Sequence, residues 1–212
     1  MDVLREIDES LQRGEDAKVA ELTQRAIDDG LSASEILNDG LLAGMAVVGE
    51  KFGAHDIFLP EVLLAARAMH AGIDVLKPLM IAQDVPSIGK VVVGTVKGDM
   101  HDIGKNLVGI MLKGAGYEVV DLGSDVPAER FVDSAVAEGA SVIGMSALLT
   151  TTMTGMKKVV DLIRERGLDG DIKVIVGGAP LSQAFADDIG ADGYGYDASN
   201  AVDIVKNLAA AG

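Results

Sequence analysis

The stretch KVVVGTVKGDMHDIGKNLVGIMLKGAGYEVVDLG, Lys90–Gly123, decides how the second half of this chain is read. A β-branched run, Val91–Val96, enters a polar loop; a helical segment, Ile103–Gly114, follows; a second apolar run starts at Glu118. Strand, helix and strand in this order form a βαβ unit with parallel strands. One of only three histidines in the 212 residues, His101, stands in the first loop between Asp99 and Asp102. In open parallel sheets, ligands sit at the carboxyl ends of the strands, where this loop falls.

Downstream the same alternation continues. Strands are expected at Ser141–Met145, Lys173–Val176 and, more weakly, Asp192–Tyr194. Helices are expected at Ala128–Glu138, Thr152–Arg166, Gln183–Ile189 and Ser199–Ala210. The strands are continuous apolar runs, as in a parallel sheet covered on both faces. The reading is an α/β protein whose second part, residues 90–212, is a flavodoxin-like, Rossmann-like, five-stranded doubly wound domain.

Upstream the period changes from two to 3.6. Leu41, Met45, Val48 and Phe52 recur at helical spacing, as do Val62, Met69, Ile73 and Leu76. Gly14, Gly30 and Gly53 punctuate the region, and Pro60 suits a first helical turn. Helices are expected at Asp2–Arg13, Glu15–Asp29, Ala33–Phe52 and Pro60–Ala82, making residues 1–82 a four-helix bundle. Gln83–Gly89, polar with Pro and Gly, reads as the linker.

Composition narrows the function classes. The net charge of −15 argues against nucleic acid and anionic membrane surfaces as partners. The absence of cysteine excludes thiol chemistry, iron–sulfur clusters and Cys-type zinc sites. The start, MDVLREIDES, is acidic and unlike a signal peptide, and no uncharged run reads as a membrane span, so a cytoplasmic protein is expected.

Three features fall at the strand ends: Asp99-Met100-His101-Asp102-Ile103-Gly104, Ser146-Ala147-Leu148, and Gly177-Gly178. An imidazole can give one nitrogen to a metal while a carboxylate holds the other, which sets the tautomer and raises ligand basicity. Asp99 is close enough for that role if the loop curls, and Ser146 could extend the relay. Gly104 leaves room for a bulky ligand, and the paired glycines allow close backbone approach. One histidine does not make a zinc site; a cofactor bringing its own metal ligands needs only one. Asp102 is read as serving the helix dipole, Lys97 and Lys105 as solvated charges, His55 as a loop residue and His70 as a helix-surface residue.

The spaced set Asp-x-His-x-x-Gly, Ser-x-Leu, Gly-Gly resembles the cobalamin-binding fingerprint of corrinoid-dependent methyltransferases. GTVKGDMHDIGKN is similar to the corresponding stretch of cobalamin-dependent methionine synthase. Nearly the whole chain resembles the corrinoid proteins of methylotrophic and acetogenic methyltransferase systems, in which a helical cap precedes a Rossmann-like cobalamin domain. The resemblance implies a cobalamin cofactor, methylcobalamin or another corrinoid, with His101 as lower axial ligand to cobalt. Asp99 and Ser146 would form the relay behind it. Met100, Asp102, Ile103 and Gly104 would lie in the cofactor-binding loop, and Leu148, Thr150, Gly177 and Gly178 would line the slot for the nucleotide tail. EKFGAHDIFLPEVLLAARAM resembles the segment capping the upper corrin face, with Phe52, Leu59 and Val62 as the shield; ordinary bundle core is the alternative reading of these three.

The implied function is a methyl carrier. Cobalt(I) accepts a methyl group from a substrate-specific methyltransferase, and an acceptor methyltransferase passes it to tetrahydrofolate or a thiol. A corrinoid reductive activase is the third expected partner, and the chain is not expected to be catalytic alone. Two alternatives stand beside it: the small subunit of an adenosylcobalamin-dependent mutase, and a cobalamin sensor.

Overall fold

The computed structural model describes residues 2–83, 85 and 88–210. It divides into two compact units, a helical one formed mainly by the first part of the chain and a second that starts at Ile88 and carries the sheet. Residues 84, 86 and 87 of the expected linker lie outside the described residues.

The helical unit holds α1 (Val3–Gln12), α2 (Asp16–Asp28), α3 (Ala33–Glu35), a π-helical segment (Ile36–Leu42), α4 (Ala43–Gly53) and α5 (Leu59–Ala82). Asp2 caps α1 through the Leu4 amide, and Ser32 with Glu35 forms a capping box at α3. The third expected helix therefore exists but is wound as π through its middle. Its neighbour α1 comes close there: a side-chain carbon at Gly40 would lie 3.2 Å from the Ile7 side chain. The apolar faces converge on a core containing Ile7, Leu11, Val19, Leu22, Ile36, Leu41, Met69 and Leu76.

The second unit runs β1 (Lys90–Thr95), α6 (Ile103–Gly114), β2 (Glu118–Asp121), α7 (Ala128–Glu138), β3 (Val142–Ser146), α8 (Thr150–Met153), α9 (Gly155–Glu165), β4 (Lys173–Gly177), α10 (Gln183–Ile189), β5 (Gly193–Gly195) and α11 (Ala198–Ala210). The strand order is β2-β1-β3-β4-β5, with every pairing parallel. This is the flavodoxin-like order expected from the sequence. Val92, Ile143, Met145, Val174 and Val176 face one way, packing with Phe131, Val132, Val159, Val160 and Ile189 of α7, α9 and α10. Their strand neighbours Val91, Val93, Val142 and Ile175 are buried on the opposite face by alternation, where α11 lies against β4 and β5.

The order reverses at β1, so the crevice at its carboxyl end opens between crossovers of opposite sense. The loop that leaves β1 there is the one carrying His101.

Candidate functional site

The β1–α6 loop is folded tightly on itself. The Asp99 amide donates to the Val96 carbonyl (3.1 Å), and the Thr95 hydroxyl, fully buried at the strand end, donates to the His101 carbonyl (2.9 Å). This curl brings the Asp99 carboxylate under the imidazole. Asp99 Oδ1 lies 2.7 Å from His101 Nδ1 and accepts the His101 amide at 3.1 Å. Oδ2 accepts the amides of Leu148 (2.8 Å) and Leu149 (3.3 Å) and the Thr152 hydroxyl (2.8 Å).

Asp99 has no exposed surface. Burial alone would push its carboxyl up, but the bonds from His101, Leu148 and Thr152 outweigh this and hold it well below the usual carboxylate range. A carboxylate at Nδ1 favours the tautomer with its proton there, which leaves the Nε2 lone pair free. Among the described residues Nε2 has no hydrogen-bond partner, and the side chain is 51% exposed. The arrangement is a basic, oriented nitrogen donor presented outward from an anionic support.

Exposed apolar side chains stand on the same loops, beside the exposed Asp102. Met100 and Ile103 are 72% and 76% exposed, and Leu148 and Leu149 are also exposed. A side-chain carbon on Gly104 would meet nothing within 4 Å, so the protein's own packing does not require glycine there. Among the described residues, no group of three or more histidines and carboxylates could hold a metal ion. A metal bound at His101 must therefore bring its other ligands. An exposed imidazole with open space over Gly104 fits a metal complex that brings its other ligands with it.

The remaining expected residues sort as follows. Ser146 ends β3 in register with Thr95 and Gly177, and its carbonyl accepts the Val96 amide at 3.0 Å. Its hydroxyl is not among the partners of Asp99; the relay position expected for it is filled by Thr152. Sequence spacing missed Thr152 because three threonines, Thr150, Thr151 and Thr152, follow one another and only the turn of α8 selects one. Thr150 opens α8 and is exposed, as is Asp102 immediately before α6. Gly178 has a positive φ of 136°, and a side-chain carbon there would sit 1.8 Å from the Ala147 carbonyl oxygen. Close backbone approach at Gly178 is thus already a requirement of the fold.

Lys105 is not a solvated charge. It is 4% exposed, and its ammonium reaches Asp121 Oδ1 and Asn106 Oδ1, each at 2.6 Å. Lys97 is exposed and pairs with Asp125 at 3.0 Å. Val62, expected in the shield, is fully buried on the α5 side that also buries Ala65, Ala66 and Met69, and a residue there cannot line an open face. Phe52 and Leu59 keep part of their surface exposed. His55 lies in the loop after α4 with a positive φ of 65°, and His70 is exposed on α5.

A flavodoxin-like sheet with an outward histidine on a buried aspartate at its switch point is the arrangement that the resemblance implies for a Rossmann-like cobalamin-binding domain. Residues 89–203 match the model of a B12 binding domain, and residues 3–77 match a second model, also described as a B12 binding domain. The chain is 43% identical over 211 residues, 98% of both chains, to a corrinoid protein of Desulfitobacterium hafniense. It is 50% identical over 181 residues, 85% of each chain, to dimethylamine corrinoid protein 1 of Methanosarcina acetivorans. The fold superimposes with a TM-score of 0.88 and 36% identity on a chain of the methanol:cobalamin methyltransferase complex MtaBC from Methanosarcina barkeri, covering 99% of this chain and 80% of that one.

The chain belongs to the cobalamin-binding corrinoid proteins of methyltransferase systems. Its cofactor is a cobalt corrinoid of the cobalamin class. Among the described residues no helix is long and apolar enough to cross a membrane.

Proposed function

We propose that this protein carries methyl groups between two methyltransferases, a substrate-specific donor enzyme and an acceptor enzyme that delivers to tetrahydrofolate or a thiol. A corrinoid reductive activase is the proposed third partner. The bound corrinoid supplies a cobalt centre that takes up and gives up the methyl group. Residues 90–212 are proposed to hold it, with residues 1–82 as the accompanying helical domain. Methylamines are the donors to test first, because the relative named for dimethylamine is 50% identical.

The observation that carries the reading is the buried Asp99 carboxylate bonded to His101 Nδ1 at 2.7 Å. In this role His101 would hold the cobalt through Nε2. Asp99 fixes the tautomer, and the fixed negative charge behind the ring strengthens the donor. Thr152 and the Leu148 amide keep the carboxylate from turning away.

Two measurements on the cofactor-free protein loaded with cobalamin test this. The first is the EPR spectrum of the cobalt(II) form, with and without 15N-labelled histidine. A nitrogen splitting that changes on labelling and disappears in His101→Ala is expected. The second is retention of an isotopically labelled methyl group on the reduced, loaded protein after exposure to dimethylamine, methanol or trimethylamine with the matching donor enzymes. A protein that binds cobalamin through His101 but takes a methyl group from none of them overturns the carrier reading.

A further inference from the structure

The loop carrying Asp99 and His101 is held from outside by the segment joining β2 to α7, and the contacts concentrate on Asp125. Its Oδ1 accepts the Gly98 amide at 2.8 Å, its Oδ2 accepts the Lys97 ammonium at 3.0 Å, and its own amide donates to the Asp99 carbonyl at 3.0 Å. One residue thus ties three consecutive positions, Lys97, Gly98 and Asp99, on the approach to His101. The next residue continues the attachment, since the Val126 amide donates to the Thr95 carbonyl at 3.0 Å.

The backbone geometry sharpens the point. Asp125 has a φ of 56°, in the left-handed region that L-residues rarely adopt and glycine adopts freely. Gly98, which it holds, has a φ of 84°. Two adjoining turns in left-handed conformations are thus locked by one carboxylate. Asparagine or aspartate tolerates that backbone, but only a side-chain acceptor closes the bond to Gly98.

We propose that Asp125 is a positioning residue that pre-shapes the β1–α6 loop so that His101 meets the corrinoid already oriented. The proposal rests on His101 being the axial ligand. Asp125 touches neither the imidazole nor the Asp99 carboxylate; it acts on the backbone that carries them. Without it, ordering the loop so that the Asp99 carboxylate lies under His101 falls to the binding step, which lowers affinity by the ordering cost.

Three chains separate the possibilities. Asp125→Gly permits the backbone and removes both side-chain bonds. Asp125→Asn keeps an acceptor for Gly98 and loses the charge toward Lys97. The wild type is the reference. In the cofactor-free chains, hydrogen exchange at the Gly98 amide is expected to be slow in wild type and Asn and fast in Gly. Cobalamin affinity is expected to fall about tenfold in Gly, the scale found for residues that orient metal ligands, with a smaller share of the histidine-ligated EPR signal. Asn should recover most of both.

Wild-type affinity and EPR signal in the Gly variant overturn the proposal. So does an Asn variant as impaired as Gly, and so does a Gly variant that does not fold, since its role would then be structural. A wild type lacking any histidine nitrogen at cobalt overturns the axial-ligand reading instead, while Gly98 exchange still reports on the clamp alone.

Discussion

Asp99→Asn is the most discriminating single change, because it alters one atom in a fully buried site. The carboxylate presents two acceptor oxygens. One receives the His101 amide and faces Nδ1; the other receives the Leu148 and Leu149 amides and the Thr152 hydroxyl. An amide has one oxygen. If that oxygen stays with Leu148 and Leu149, the NH2 group faces His101. The backbone amide of His101 then loses its acceptor, and Nδ1 is turned into an acceptor, which sends the ring proton to Nε2. That is the nitrogen a metal needs. The variant should therefore bind cobalamin with a strongly reduced histidine signal in EPR, although His101 is still present.

Stability should fall as well. One charge-assisted bond lost and one amide left facing another amide amount to about 3 kcal/mol, taking about 1.5–3 kcal/mol for a bond to a charged group. With a urea slope of about 1–3 kcal/mol/M, the unfolding midpoint of the cofactor-free protein should drop by about 1–3 M. The pH dependence has a definite sign. The folded-state pKa of Asp99 is lowered, so its contribution is fully present above the unfolded value, near 3.9, and is lost as pH falls below that. The gap between wild type and Asp99→Asn should begin to narrow as pH falls below about 4 and go on narrowing toward the lowered folded value. Equal urea midpoints at pH 7, or an undiminished histidine signal, would refute this account of the site.

Other expected outcomes follow from the same geometry. Thr152→Val should cost about 1–2 kcal/mol in urea unfolding, since it removes a hydroxyl bond to a buried carboxylate, whereas Ser146→Ala should change stability by less than about 0.5 kcal/mol; the reverse ranking would restore Ser146 to the relay. Gly178→Ala should destabilise the cofactor-free protein by about 3 kcal/mol or more, because its new carbon would overlap the Ala147 carbonyl. Gly104→Ala should instead raise helix stability by up to about 1 kcal/mol while weakening cobalamin binding in a titration; unchanged binding would show that the space over Gly104 is not used. Asp121→Ala should cost about 1–2 kcal/mol, between an exposed and a buried pair, because Asp121 is 44% exposed while Lys105 is not, as read by thermal or urea unfolding.

What the sequence determined by itself is the part governed by local periodicity and spacing. The continuous apolar runs from Lys90 onward specify buried parallel strands, and the helices Ile103–Gly114, Ala128–Glu138 and Gln183–Ile189 are found at the expected bounds. The Asp-x-His loop is also local: two residues of chain suffice to bring Asp99 under His101 once the loop curls.

The tertiary structure decided what depends on distant elements. Asp99 meets Thr152 across 53 positions of chain, and the choice among Ser146 and three successive threonines is made by the turn into α8. Lys105 looks like any surface lysine until the end of β2 brings Asp121 to it. Val62 belongs to the bundle core because the phase of α5 places it with Ala65 and Met69. The π segment at Ile36–Leu42 falls where α1 packs closely on Gly40 and Gly44. Periodicity names the face a residue lies on, but only packing across the fold decides what that face meets, and hence whether a hydroxyl, an ammonium or a valine serves the site or the core.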